Sequence, residues 1–404
     1  MEASSSARPP RSKVNLRTPE VMAHVQAEVE QHYRSELVER IRGNQGVYNS
    51  AKTTIRLARE FGFCYGVERA IDLAYAARKV FPDRHVYLLG EIIHNPDVNK
   101  QLAAMGIESI VSKPDSVALD SLTDEDVVIV PAFGAEVKTI AEIRQRGCQI
   151  VDTTCGDVMS VWRRVRQNAK DGITSIIHGK AQHEETRATA SHALGDKGAG
   201  HYLIVLNLQE TGIVCDYIRH GGDKAKFLAQ FEGAYSGGFD PDLHLRKVGV
   251  ANQTTMLRAE TGEVQHHVQN AISERDGNVE NFRFFDTICG ATQDRQDALF
   301  HLLQEPLDLM IVVGGYNSSN TTHLVEISEQ KLPTYFIQNA ERLIDSNTIQ
   351  HYDIHQKTEI TEDKQWLHNK ENLIVGITAG ASCPNNLIEE TILRLLDLRG
   401  DSVS

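Results

Sequence analysis

Three of the six cysteines in this chain sit in the same kind of local setting. Cys64 (Phe61-Gly62-Phe63-Cys64-Tyr65-Gly66-Val67), Cys155 (Val151-Asp152-Thr153-Thr154-Cys155-Gly156-Asp157) and Cys289 (Phe285-Asp286-Thr287-Ile288-Cys289-Gly290-Ala291) each lie between an apolar or β-branched run and an amphipathic helical pattern. At a strand-to-helix turn, backbone N–H groups and the helix dipole favour a thiolate. Three soft thiolates brought together suit an iron–sulfur cluster better than a hard cation. Three protein ligands on a 4Fe-4S cubane leave one iron open, the counterpart of the open position of a catalytic zinc. The competing reading is three core cysteines in packed helices. Cys148, Cys215 and Cys383 lack the shared context and read as buried small hydrophobes. No two cysteines form a CxxC pair, so any metal site is assembled from distant segments.

About 30 residues after each of these cysteines comes a polar loop: His94-Asn95, His183-Glu184-Glu185 and Ser318-Ser319-Asn320. A further polar or Gly-containing loop closes each unit: Ala132-Phe133-Gly134-Ala135, Asn252-Gln253-Thr254-Thr255 and Ala379-Gly380-Ala381-Ser382. Asn317-Ser318-Ser319-Asn320-Thr321 offers hydroxyls, amides and backbone N–H groups to a phosphate. It is not a Walker A loop, because no Gly-Lys-Ser/Thr follows. With His94, His183 and Ser382 in equivalent loops, it points to a diphosphate pocket, although a histidine in such a loop more often serves packing. Glu185, closed into a dry pocket beside a bound diphosphate, would have a raised pKa and could donate a proton, with Thr254 to relay it. The bland alternative makes Glu184 and Glu185 an ordinary acidic first turn of a helix.

The elements that must position these residues are α/β. Val127–Val130, Ser175–Ile177, Tyr202–Val205, Leu309–Val313 and Leu373–Val375 read as buried parallel strands, each followed by a helical stretch. Three units with equivalent loops predict three similar α/β domains about a pseudo-threefold axis, with ligands at the carboxyl ends of the strands. The expected division is 54–150 with Cys64, 151–284 with Cys155 and 285–404 with Cys289, after an extension over 1–53. In that extension residues 1–17 read as disordered. Thr18-Pro19-Glu20 then starts a helix, whose apolar stripe runs Val21, Val25, Val29, Tyr33, Leu37 and Ile41 to a stop at Gly43.

The 404 residues are 41% hydrophobic and 24% charged, with a net charge of −13. That balance argues against a general nucleic-acid or anionic-membrane binder. No apolar run approaches a membrane span, and Met1–Ser6 lacks the apolar core of a secretory signal. The expectation is a cytoplasmic protein, or one of the plastid stroma in a photosynthetic eukaryote. No G-x-G-x-x-G follows a strand, so electrons should come from an external donor, and Arg163, Arg164, Arg166 and Lys170 form a basic helical face for an acidic one.

Gly62-Phe63-Cys64-x-Gly66-Val67, Ile93-His94-Asn95, Asp152-Thr153-Thr154-Cys155, His183-x-Glu185, Gln253-Thr254-Thr255, Cys289-x-Ala291-Thr292-Gln293-x-Arg295-Gln296, Asn317-Ser318-Ser319-Asn320 and Gly380-Ala381-Ser382 occur in this order. Over roughly residues 54–398 the chain thereby resembles the 4-hydroxy-3-methylbut-2-enyl diphosphate reductase family. Glu91–Pro96, Pro131–Ala135 and the N-terminal extension look like its cyanobacterial and plant branch. The resemblance implies a trefoil of three α/β domains around a central 4Fe-4S cluster held by Cys64, Cys155 and Cys289. It implies diphosphate binding by His94, His183, Thr255, Ser318, Ser319, Asn320 and Ser382, with Glu185 as proton donor assisted by Thr254. The implied reaction is a two-electron reductive dehydroxylation of the allylic diphosphate, fed by ferredoxin or flavodoxin, with the substrate hydroxyl on the open iron. Its products would be isopentenyl and dimethylallyl diphosphate, the end of the non-mevalonate isoprenoid pathway. Two departures stand out: Phe133 where many bacterial members have histidine, and Gly156 where many have proline. A non-enzymatic iron–sulfur carrier or redox sensor, and a zinc or purely structural α/β protein, are the competing classes.

Overall fold

The computed structural model describes residues 14–110, 119–367 and 370–401. Most of the segment expected to be disordered, residues 1–13, lies outside the described residues, and 14–17 form no helix or strand.

Among the described residues three large sheets and one two-stranded hairpin occur, and the parallel strands of the three large sheets share one order. The first runs Ile107–Ile110, Val86–Leu89, Val127–Val130, Gln149–Asp152, every pair parallel. The second runs Tyr202–Val205, Thr174–His178, Val248–Asn252, Phe282–Phe284, again all parallel. The third runs Thr334–Ile337, Leu309–Val313, Leu373–Ala379, Thr53–Leu57, also parallel, with the short antiparallel strand Val47–Asn49 added at its edge. In each sheet the strand earliest in its lobe has an inner position, the next flanks it, and two more follow on the other side. The third sheet takes its last strand from the start of the chain. Central strands such as Val127–Val130, Thr174–His178 and Leu309–Val313 are buried at every position, as strands covered on both faces must be.

The sheets therefore share out the chain differently from the expected cuts at 53/54 and 150/151. Thr53–Leu57 belongs with Leu373–Ala379, and Gln149–Asp152 stays with the first sheet. The three outermost parallel strands each run straight toward a cysteine: Thr53–Leu57 to Cys64, Gln149–Asp152 to Cys155, and Phe282–Phe284 to Cys289. The helix after Cys155, Gly156–Lys170, packs on the second sheet, so each such turn marks the passage from one lobe to the next.

The N-terminal stripe expected as one helix is two helices, Pro19–Tyr33 and Glu36–Gly43. Arg34 is extended, with ψ 152°, and Ser35 caps the second helix by accepting the Val38 N–H at 2.9 Å. The break lets one sequence stripe serve two cores. Val25 and Tyr33 pack with the first lobe, while Leu37, Val38 and Ile41 pack with the third. No described helix is long and apolar enough to cross a membrane.

Candidate active site

Cys64, Cys155 and Cys289 are each the N-cap residue of a helix: Tyr65–Val80, Gly156–Lys170 and Gly290–Leu302. Their backbones are fixed by one repeated bond. The N–H of Cys64 donates to Ala381 O at 3.2 Å, that of Cys155 to Ala132 O at 2.8 Å, and that of Cys289 to Thr254 O at 3.2 Å. The acceptors come from the three closing loops picked out in the sequence. Each cysteine is thus pinned to the loop of the sheet it leaves, and the three turns converge on one cavity of about 620 Å³. All twelve residues singled out for cluster, diphosphate or proton chemistry line that cavity.

At the cysteine end, Gly66 is the residue that makes room. A Cβ there would stand 2.6 Å from Cys155 Sγ and 3.9 Å from Cys64 Sγ. Burial raises the Cys155 thiol and pushes that of Cys289 up to about 12, although Cys289 Sγ meets Thr292 Oγ1 at 2.9 Å and accepts its N–H at 3.3 Å. Thiols desolvated in this way ionise when a metal neutralises them, since a coordinating thiol is deprotonated outright. All three are free of disulfides. Arg295, 4% exposed, sends its guanidinium into the same end, where it donates to Gly62 O at 2.6 Å and Ala291 O at 2.8 Å. Burial pulls this guanidinium below its usual range, opposed by the nearby Cys64 and Cys289. Sequence reasoning placed Arg295 within a motif but gave it no role, because which cysteines it faces is settled by the fold.

At the other end the cavity is walled with donors. Gln253 orders them: its Nε2 donates to Thr255 Oγ1 at 2.8 Å and Ser319 Oγ at 3.1 Å, while its Oε1 accepts from Thr186 Oγ1 at 3.1 Å and Lys180 N at 3.2 Å. Both hydroxyls accept from the amide, so both protons remain for an anion. Asn320 Oδ1 accepts the Ala381 N–H at 2.9 Å, and its Nδ2 is buried with no partner. Ser318 caps its helix by accepting the Thr321 N–H, and Ser382 Oγ donates to His94 O at 3.2 Å.

The two histidines meet edge to face at 5.0 Å. Burial pulls His183 down to about 3, so it is neutral. Its Nδ1 accepts the Glu185 N–H at 3.2 Å, which fixes the tautomer with the proton on Nε2. His94 Nδ1 meets Glu91 at 3.1 Å, and its Nε2 lies 3.7 Å from Glu184. Donor atoms of His94, His183 and Glu184 lie within 4.8 Å of one another, a spacing a metal could use. The His183 tautomer argues against it, because the nitrogen left to bind a cation carries a hydrogen. Phe133 stacks on His94 with centroids 4.7 Å apart and planes 10° apart, so it holds that ring in place.

Between the two ends sits Glu185, 3% exposed. Thr254 donates to it twice, from N–H to Oε1 at 2.6 Å and from Oγ1 to Oε2 at 3.0 Å. Burial nevertheless raises its carboxyl to about 7.

The LytB protein family matches residues 55–396 of this chain. A protein of Thermosynechococcus vestitus named 4-hydroxy-3-methylbut-2-enyl diphosphate reductase is 47% identical over 379 residues, 93% of this chain and 92% of its own length. One of the same name from Gloeobacter violaceus is 46% identical over 386 residues, 94% of this chain and 91% of its own. The solved structure of (E)-4-hydroxy-3-methyl-but-2-enyl diphosphate reductase, described as the terminal enzyme of the non-mevalonate pathway, superposes with a TM-score of 0.52 at 28% identity. It covers 85% of this chain and 99% of that one. The Plasmodium falciparum reductase structure shares the fold with a TM-score of 0.62 at 23% identity, over 85% of this chain and 87% of its own. On sequence and on fold alike, this chain belongs to the LytB family.

Proposed function

We propose that this chain reductively removes the allylic hydroxyl of 4-hydroxy-3-methylbut-2-enyl diphosphate, taking up two electrons and two protons and releasing water. The products are isopentenyl and dimethylallyl diphosphate. The observation that carries this reading is a single cavity with three thiols at one end, neutral hydrogen-bond donors at the other, and a buried acid between them.

Reductases of this family are iron–sulfur enzymes. The residues present fit such a group: three thiols without disulfides converge, a glycine stands where a Cβ would crowd Cys155 Sγ and approach Cys64 Sγ, and a buried guanidinium accompanies them. Cys64, Cys155 and Cys289 would hold it as a 4Fe-4S cluster with one iron open. When bound it supplies the electrons and a Lewis-acidic site.

The chain does the rest. His183 Nε2–H, Thr255, Ser319 and Asn320 Nδ2 present donors to the diphosphate, joined by His94 and Ser318, and by Ser382 when its hydroxyl turns from His94 O to the anion. Phe133 and Glu91 keep the His94 ring oriented. Glu185 holds a proton at neutral pH because its site is dry, and Thr254 keeps the carboxyl aimed and can pass a proton through its hydroxyl. For a mere electron carrier, neither the donor wall nor the buried acid would be needed.

Electrons come from a small acidic protein of the ferredoxin or flavodoxin kind. Arg163 and Arg164 are exposed on the helix that begins at Cys155, and Arg164 lies 4.5 Å over Phe285 in the loop leading to Cys289. The basic face thus spans the approach to two of the three thiols. Turnover of the allylic diphosphate by anaerobically purified, cluster-loaded protein with a reduced viologen dye tests the activity. A loaded protein that reduces nothing would leave the carrier reading standing.

A further inference from the structure

A second cavity adjoins the first and has no part in the chemistry above. It measures about 560 Å³ and lies at the carboxyl ends of Thr174–His178 and Tyr202–Val205. Lys180 and Gln182 line it from the second lobe, Asn317 and Thr322 from the third, and Lys357 from the hairpin formed by Thr348–Asp353 and Thr358–Asp363. His183 and Ser319 line both cavities. Two of the proposed diphosphate donors therefore face both chambers.

Two lysines, Lys180 and Lys357, face this chamber together with Glu210 and Glu232. Lys180 is largely withdrawn from water, and burial pulls its ammonium below the usual lysine range; the charges that act on it are Glu326 and Lys357. Glu326 is shared between Lys180 and His323, whose Nδ1 lies 2.6 Å from its Oε2. Glu210 spends a carboxylate oxygen on the Leu206 N–H at 2.6 Å, and Glu232 is exposed at the rim. Lys357 acts on Lys180 as a like charge, against the larger attraction of Glu326. Lys357 is held there at φ 55°, a left-handed conformation uncommon outside glycine and asparagine. The hairpin that carries it is anchored by Glu359, which accepts from Tyr316 Oη at 2.8 Å and Arg342 Nε at 2.8 Å, and by Tyr352 stacked on Tyr316 at 4.7 Å.

We propose that this chamber is an entry site for the substrate's diphosphate: Lys180 and Lys357 capture the incoming anion, which then passes His183 and Ser319 into the reaction cavity. The proposal rests on the activity inferred above. Cations focused in a cleft raise the on-rate of an anionic ligand and add little to the chemical step.

The experiment is steady-state turnover of the cluster-loaded protein at saturating dye, with substrate varied at low and high salt. K180Q, K357Q and the double variant are compared with K180R. In the double variant kcat/KM should fall about tenfold with kcat within about twofold of wild type, and its dependence on salt should flatten. K180R keeps the charge and should keep the wild-type kcat/KM. Because Lys357 is exposed at a hairpin tip, K357Q reads the same effect should K180Q fold poorly. An unchanged kcat/KM and salt slope in K357Q and the double variant, or a loss confined to kcat, would overturn the entry site. No turnover in the wild-type protein would count against the activity itself.

Discussion

Glu185 brings the chemistry and the electrostatics to one atom pair. Its carboxyl titrates near 7 because it is buried, even with two hydrogen bonds from Thr254 favouring the anion. If it must be protonated to act, kcat should decline as pH rises through about 7, and the decline should disappear in Glu185→Gln. That variant should keep its cluster and its affinity for diphosphate while turnover drops roughly 10²–10⁴-fold. The same raised pKa makes the ionised form costly to the folded state. Glu185→Gln should therefore gain thermal stability over wild type above pH 7, an advantage that shrinks as pH falls and the wild-type carboxyl protonates. Turnover near the wild-type level would remove Glu185 from the role. At the proposed diphosphate end, Phe133 cannot donate a hydrogen bond, so His94 and His183 are expected to carry more of the binding. Alanine at either should weaken substrate binding at least about tenfold, ~1.4 kcal/mol. Phe133 is a packing partner of His94, so Phe133→Leu should be mild, whereas Phe133→Ala should free the His94 ring and raise Kd; titration calorimetry of the four variants reads this directly.

At the scale of elements, the cysteine turns work because each is fixed from both sides, by the strand that ends before it and by the backbone bond to a closing loop. Gly66 is the sharpest test of that packing. With its helix intact, Gly66→Ala would drive a methyl to 2.6 Å from Cys155 Sγ, so iron and sulfide per folded chain should fall while circular dichroism stays unchanged. Full loading would show that the thiols have more room than the structure gives them. Much of this was legible beforehand. The strands Val127–Val130, Tyr202–Val205 and Leu309–Val313 occupy the stretches expected from their unbroken apolar runs, and the cysteine turns carry local residue patterns. Sheet membership was not, because whether Thr53–Leu57 pairs with the strands after it or with Leu373–Ala379 is decided by contacts more than 300 residues apart. The break at Ser35 was not read, because the apolar stripe continues through Leu37 and Ile41; the structure shows Ser35 capping the second helix. Gln253, Arg295 and Gly66 stood within motifs but without a role, since their work is done across lobes.

The whole molecule closes on itself: three sheets of one strand order, the last completed by the chain's first parallel strand, hold three turns around one cavity. Against a net charge of −13, the basic helix after Cys155 is the proposed docking face for an acidic electron donor. Charge reversal at Arg163 and Arg164 should slow ferredoxin-driven turnover, most strongly at low salt, and leave dye-driven turnover unchanged; equal ferredoxin rates would retire that face. The claim on which everything else depends is that the three turns, and no other cysteines, hold the iron–sulfur group. Iron and acid-labile sulfide per folded chain, with the visible absorption spectrum, should be measured for single replacements at all six cysteines. Replacing Cys64, Cys155 or Cys289 with serine should abolish or cripple loading, while replacing Cys148, Cys215 or Cys383 with alanine should leave iron and colour at wild-type levels. Loading that survives the loss of Cys64, or that fails as completely without Cys383, would contradict the account.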